Sequence, residues 1–163
     1  RETWHACCQH RLNSADLLGG QAFPDAIARG TYPVDVHSPE GTLLRHLDGK
    51  EQFVQRDGSV VVRRWREEST TAPAFYEIPF RCLIPESAAN LLVAGRLLDA
   101  DREAFGGVRV MVNMNQTGEA AGVAAWLSLR NNQAAASTPP ETLRRHLIEG
   151  GSLLAPTAHK ANC

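Results

Sequence analysis

The hydrophobic and polar positions predict a mixture of short strands and helices. Residues 1–12 mix polar and apolar types without a clear period. Asn13-Ser14-Ala15-Asp16 then reads as a helix start with Ser14 as the cap, and Gly19-Gly20 as its end. A second short helix is predicted through Asp25-Ala26-Ile27-Ala28-Arg29, stopping at Gly30. Tyr32-Pro33-Val34-Asp35-Val36-His37 alternates apolar with polar, a strand pattern, and Ser38-Pro39-Glu40-Gly41 is turn chemistry. Residues 42–50 fit neither period. Residues 52–56 and 59–66 flank Asp57-Gly58, a strong two-residue hairpin signal. After the turn-like break Ser69-Thr70-Thr71-Ala72-Pro73, the run from Phe75 to Ile84 alternates again, and Pro79 within it argues for an edge position or a bulge. Asn90-Leu91-Leu92-Val93-Ala94-Gly95 reads as a short apolar strand buried on both faces. Val108 to Val112 reads either as one more strand or as an extended approach to the helix that follows, from about Asn115 to Leu129. Thr138-Pro139-Pro140-Glu141 opens a last helix with a capping-box pattern, and the tail after Leu154 is expected to be loose.

Composition narrows the classes. A chain of 163 residues, 43% hydrophobic and 21% charged, fits one globular domain long enough to bury a core. Its formal net charge of −1 gives no global attraction to nucleic acid or an anionic membrane. Arg63-Arg64-Trp65-Arg66 is basic, but Glu67 and Glu68 follow at once, the pattern of a solvated strand end. No apolar run is long enough for a membrane span, and RETWHACCQH has no apolar core of the kind a secretion signal needs. Of the four cysteines, Cys7 and Cys8 are adjacent and Cys163 ends the chain, which is no disulfide framework; a reducing, cytoplasmic setting is expected. The opening Arg1-Glu2-Thr3, without a methionine, suggests a sequence that begins inside a larger protein or has lost a leader. His5, Cys7, Cys8 and His10 resemble zinc ligands, but on a strand His5 and Cys7 face one side while Cys8 and His10 face the other, so no metal site is expected.

The chemistry gathers in the second half. In the helix that contains Thr117 to Ala125, the small residues Gly118, Ala121, Gly122 and Ala125 share one face. Small residues let either a ligand or another backbone come close. The start of this helix is polar, and its free N–H groups suit an anion or an electron-rich carbonyl. The expected strand before it ends in Gly95, with Arg96 and Asp99 just beyond, where ligands of α/β sheets bind. Arg109, after Gly106-Gly107, adds a cation close to where phosphate or flavin charge would lie. These features together point to a nucleotide-cofactor site.

At this point the sequence resembles a family. Asn90 to Arg96, Glu103-Ala104, Gly107-Val108-Arg109-Val110-Met111 and Gly118 to Ala125 look like the C-terminal part of FAD-dependent oxidoreductases related to the fumarate reductase and succinate dehydrogenase flavoproteins. Arg1-Glu2-Thr3, Phe23 to Ala28, Tyr32 to His37 and Ile78 to Pro85 stand in the order that family has them, so the resemblance covers most of the chain. It implies that FAD is the cofactor, with flavin N5 accepting or giving hydride. It also implies that Gly95, Arg96 and Asp99 lie along the ribityl-pyrophosphate side. Gly118, Glu119, Ala120 and Ala121 would then present the helix N-terminus to the pyrimidine edge, where its dipole stabilises the reduced ring.

The chain also departs from that pattern. Family members begin with a Rossmann unit whose G-x-G element holds the ADP half of FAD; here no two glycines are spaced two apart. Asp101-Arg102 stands where a Thr-His pair is frequent, and Glu119 where glutamine is frequent. A carboxylate at Glu119 would repel an anionic reduced flavin. The isolated chain is therefore expected to be flavin-free and inactive, the remainder of the site lying in a missing N-terminal half. The alternative is a stand-alone, non-catalytic binding module whose exposed strand faces drive assembly into a homodimer or higher oligomer. Asp35 and His37 share a strand face, and His37 is the preferred general acid or base. Arg81 suits a bidentate grip on a substrate carboxylate, or an ordinary ion pair. The expected fold is α+β in a single domain over residues 1–163. Residues 1–86 form a substrate-side sheet with its hairpin, 87–131 the last strand and helix of a FAD domain, and 132–163 a terminal helix and tail. The substrate is not legible.

Overall fold

The computed structural model describes residues 6–154. It is an α+β structure whose strands fall into two antiparallel sheets. Helix α1 (Ser14–Gly19) is closed by a reciprocal cap: Asn13 Oδ1 accepts from Asp16 N at 3.0 Å while Asp16 Oδ2 accepts from Asn13 N at 3.3 Å. The cap is thus Asn13, one residue before the expected Ser14.

Strands β2 (Val34–His37), β3 (Gly41–Arg45), β4 (Lys50–Gln55) and β5 (Val60–Arg64) form a meander in chain order. The hairpin at Asp57-Gly58 is present: Gly58 has φ 85° and Ser59 N donates to Asp57 Oδ1 at 2.9 Å. Residues 42–50, which fitted neither period, supply β3 and the next turn. The second sheet pairs β1 (Ala26–Gly30) with β6 (Tyr76–Pro79). Pro79 ends β6 opposite Ala26, where the register shifts, and Phe80–Leu83 turns away as a 3-10 helix. The alternating run from Phe75 to Ile84 is therefore a strand only in its first half.

Three expectations are corrected. The helix expected at Asp25 to Arg29 is strand β1. Five residues of helix propensity are too few to resist pairing with β6, and Ala26, Ile27, Ala28 and Gly30 are all buried. A Cβ on Gly30 would lie 2.5 Å from the Tyr76 ring, so only glycine lets the two strands close. Residues 90–94 form no strand. With no neighbouring strand to satisfy its backbone the run stays irregular; Leu91 is 51% exposed and Val93 N reaches Leu83 O at 2.9 Å. Val108 to Val112 is not a strand either: Val108 ends helix α2 (Arg102–Val108) and Met111 opens helix α3 (Met111–Asn131), with Arg109 and Val110 as the break between them. Helix α4 (Pro140–Glu149) begins where expected, but its N-cap is Pro139 and makes no side-chain bond; the Thr138 hydroxyl turns instead to Ala124 O at 3.5 Å.

The core lies between these layers. Leu12, Leu17, Ile27, Ile78, Leu98 and Val108 are among its buried members. Helix α3 packs on β1 and α4 through Thr117, Ala120, Ala124 and Leu127, while α2 crosses β2. That crossing is close, since a Cβ on Gly106 would meet Asp35 O at 2.4 Å. No helix among the described residues is long and apolar enough to cross a membrane.

Candidate functional site

Strand β2 lies under α2, and the alternation of β2 turns the Asp35 and His37 side chains to the same face. Asp35 is the hub of a polar cluster. Its Oδ1 lies 3.2 Å from His37 Nε2; its Oδ2 accepts from the Tyr32 hydroxyl at 3.3 Å and lies 3.6 Å from Arg109 Nη2. The close packing of Gly106 on Asp35 brings the end of α2, and with it Arg109, within reach. The His37 side chain is 54% exposed, its Nδ1 is 3.1 Å from the Thr42 hydroxyl on β3, and Arg102 Nη2 donates to its carbonyl at 3.0 Å. The Tyr32 phenol is pushed up by burial, then by the charge and hydrogen bond of Asp35, against an opposing pull from Arg109. The structure thus brings together two residues that the sequence placed in different roles, His37 and Arg109.

Arg81 lies elsewhere, on the turn after β6. Its Nε and Nη2 donate to the two Asp25 oxygens at 2.9 and 3.2 Å, and its own N–H reaches Asp25 Oδ2 at 3.2 Å. That hydrogen bonding holds the Arg81 guanidinium above its ordinary pKa. Of the two uses considered for it, the ion pair is the one formed in this structure.

The remaining candidates spread along α3 and its approach. Gly95 takes φ 61° at the start of a 3-10 turn and its N–H donates to the Thr117 hydroxyl at 3.3 Å, tying the turn to α3. Open space stands in front of Gly95, Gly118 and Gly122. Arg96 is exposed on the same turn as Gly95, and Ala121 is half-buried. Ala120 points into the core instead, and Glu119 accepts from the Ser152 hydroxyl at 3.2 Å. Asp99 is buried on another side, accepting from Cys8 N at 2.9 Å with Arg11 Nε at 3.7 Å. Because α3 begins at Met111, Gly118 to Ala121 lie two turns inside it with their N–H groups in its ladder. The helix N-terminus itself, which has no side-chain cap, is formed by Val110 to Asn113.

That N-terminus borders a cavity of about 990 Å³, whose walls include Arg29, Tyr32, Phe75, Met111, Gln116 and Leu153. Gln116 holds the cavity together, accepting from Arg29 N and donating to Arg29 O, both at 3.0 Å. The Arg29 side chain grips Glu77 Oε1 at 2.9 and 3.0 Å and lies 4.3 Å over the Phe75 ring. Sequence reasoning missed Tyr32, Arg29 and Gln116 as site residues. Tyr32 alone left a signal, three residues from Asp35 within one strand pattern. Of the zinc-like quartet, Cys7 is exposed, Cys8 is buried and His10 Nε2 sits 3.1 Å from Asp16 Oδ2; His5 lies outside the described residues.

A model of the FAD dependent oxidoreductase family matches residues 1–147. No curated protein and no solved structure matches the chain. Nothing stands within 4 Å of a Cβ added at Gly95, Gly118 or Gly122, so the chain leaves room at these positions for a flat group or the backbone supporting it. The glycine loop that cradles a pyrophosphate is not in the sequence.

Proposed function

Because the chain belongs to the FAD dependent oxidoreductase family, we propose that it forms the substrate-side sheet and the flavin-facing helix of such an enzyme, and does not retain flavin by itself. The motifs from Asn90 to Ala125 favour the fumarate reductase and succinate dehydrogenase branch. In this reading residues 1–86 carry the substrate side, 87–131 the flavin contact and 132–163 the closing helix and tail. The observation that carries it is the open space at three glycines: Gly95, pinned to Thr117, and Gly118 and Gly122 on α3 each have nothing within 4 Å of an added Cβ.

Flavin, when bound, supplies a two-electron acceptor or donor at N5. Gly95 and Gly118 would leave room for its ring system beside the half-buried Ala121, and Arg96 stands on the turn of Gly95. His37, exposed and oriented by Asp35 and Thr42, holds or releases the substrate's proton. Arg109 pairs with Asp35 from α2 and steadies the carboxylate that orients the imidazole. The test is an absorbance spectrum of the purified chain after incubation with excess FAD and gel filtration. A colourless protein is expected; retained flavin bands in the visible region would overturn the flavin-free part of the reading.

A second reading, a non-catalytic self-associating module, is favoured by the outer strand of the meander. Val60 and Val62 on β5 are 49% and 59% exposed at the open end of the sheet. Light scattering would then give a homodimer or larger particle, and a monodisperse monomer would exclude it.

A further inference from the structure

The meander has two edges, and they are finished differently. At the β2 edge the outward-facing carbonyls are taken from α2 and its end. His37 O accepts from Arg102 Nη2 at 3.0 Å, and Asp35 O accepts from Arg109 Nη2 at 3.5 Å, with Gly106 packed against the same carbonyl. At the β5 edge no described residue plays that part. The ladder fixes which groups are left bare there. Gln55 N donates to Ser59 O and Trp65 N to Gly49 O, at the two ends of the β4–β5 pair. By the alternation of an antiparallel pair, Val61 and Arg63 bond inward to β4, while the N–H and C=O of Val60, Val62 and Arg64 point away from the sheet. The β4–β5 register runs without a bulge, and β5 holds neither proline nor lysine, the usual guards of an open edge. Val60, Val61 and Val62 are all exposed.

We propose that β5 pairs antiparallel with β5 of a second copy of this chain, about a two-fold axis at Val62, so that the two meanders join into one continuous sheet. The proposal rests on the self-associating reading given above and names its contact. A second copy is the occupant because the bare edge is complementary to itself. Its outward residues lie symmetrically about Val62. With Val62 opposite the partner's Val62 and Val60 opposite the partner's Arg64, every outward N–H and C=O of the strand finds a partner. The side chains select the same register. Arg63 then meets the partner's Val61 and Arg64 meets the partner's Val60, so no two like charges stand directly opposite. Sliding the partner two residues one way sets Arg63 against the partner's Arg63. Sliding it two residues the other way leaves Arg64 beside the turn at Gly58, with no strand to pair. A slip of one residue sets bare groups against groups already bonded to β4. The formal net charge of −1 imposes no general repulsion between copies. Because the β2 edge is closed by Arg102 and Arg109, the assembly stops at two copies.

Light scattering of the full chain over a dilution series gives the dimer and its dissociation constant. Val62→Pro removes an N–H that faces away from β4, a place where an edge strand tolerates proline, so the circular dichroism spectrum is retained. The two hydrogen bonds lost across the axis raise the dissociation constant about thirtyfold or more. Val62→Lys, which sets two ammonium groups face to face, gives the same loss and stands in if proline alters the spectrum. The register is read by disulfide trapping, in a Cys7→Ser, Cys163→Ser background. Val61→Cys mixed with Arg63→Cys should give the cross-linked pair of the two variants, since Val61 and the partner's Arg63 form a close, non-hydrogen-bonded pair. A monomer at every concentration would overturn the proposal together with the reading beneath it. A dimer that survives both Val62 variants would overturn the β5 contact while self-association stands. Val61→Cys cross-linked to its own copy would overturn the register, and a particle larger than a dimer would overturn the closure at β2.

Discussion

Two aspartates ten residues apart each meet an arginine, and the two pairs are built for different purposes. Asp25 is buried, and Arg81 satisfies both of its oxygens at 2.9 and 3.2 Å while adding a backbone N–H. Asp35 is more open. Arg109 approaches it only to 3.6 Å, Tyr32 gives a 3.3 Å bond, and Oδ1 is left to His37 without good alignment. The first carboxylate is saturated by a fork of donors and locks the turn after β6 to the start of β1. The second is under-satisfied, shared among three elements and connected to solvent by a histidine. A carboxylate with nothing left to accept is a structural part; one with loose partners can still exchange a proton.

Removing the two arginines separates the pairs most sharply. Arg81→Ala leaves the Asp25 carboxylate without its cation; because the Arg81 side chain is 42% exposed, water replaces part of what is lost, and the cost should be about 2 kcal/mol. Arg109→Ala removes only longer contacts, 3.6 Å to Asp35 Oδ2 and 3.5 Å to Asp35 O, and should cost less, about 1 kcal/mol. Urea unfolding of the two variants measures the contrast, and equal losses would remove it.

The difference between the pairs follows from what the sequence can express. The face shared by Asp35 and His37 is legible, because period-two alternation and the flanking turns at Ser38–Gly41 and Asp57-Gly58 are local signals. Arg109 at Asp35 is not legible, since it depends on α2 crossing β2 74 residues away. The same limit hid the pairing of Gln116 with Arg29. The alanines of β1 favour helix by propensity, while burial between β6 and α3 decides the outcome. At residues 90–94 the apolar composition suits a strand, but composition carries no information about whether a neighbouring strand is there to pair with. The small face of α3 was legible as small. Which way it points was not: Gly118, Gly122 and Ala125 look out and Ala121 is half-buried, while Ala120 and Ala124, outside that face, turn inward.

The tyrosines extend the comparison. Tyr32 bonds a carboxylate, whereas Tyr76 is sealed in the core, donating to Gly107 O at 2.8 Å and accepting from Asn113 Nδ2 at 2.9 Å. Burial pushes the Tyr76 phenol to about 12, partly offset by the Asn113 bond. The unfolded chain releases that proton near pH 10 while the folded chain keeps it. The contribution is therefore whole below about pH 10 and is lost as pH rises towards 12, a loss of about 2 to 3 kcal/mol. Cys8, raised to about 11 by burial and then by Asp99, acts in the same sense from about pH 9. Urea midpoints measured across this range should fall less steeply in Tyr76→Phe than in the wild type. Tyr32→Phe should flatten the curve by a smaller amount, and a larger effect from Tyr32 would reverse the ranking of the two sites.

Two glycine substitutions give the finest test. Gly106→Ala drives a methyl into the Asp35 backbone, where 2.4 Å is far inside contact distance, so α2 must shift at a cost of about 2 kcal/mol. That shift also withdraws Arg109 from Asp35. Gly118→Ala runs the other way. Its site is helical, exposed and unobstructed, so the added methyl should stabilise the chain by about 0.5–1 kcal/mol through helix propensity. A residue that lowers the stability of its own helix without any packing return is kept for some other contact. If that contact is with the flavin ring or the backbone supporting it, Gly118→Ala should raise the thermal midpoint of this chain and weaken flavin binding when the site is complete. A variant that is both more stable and equally able to bind flavin would show that the open face of α3 serves neither.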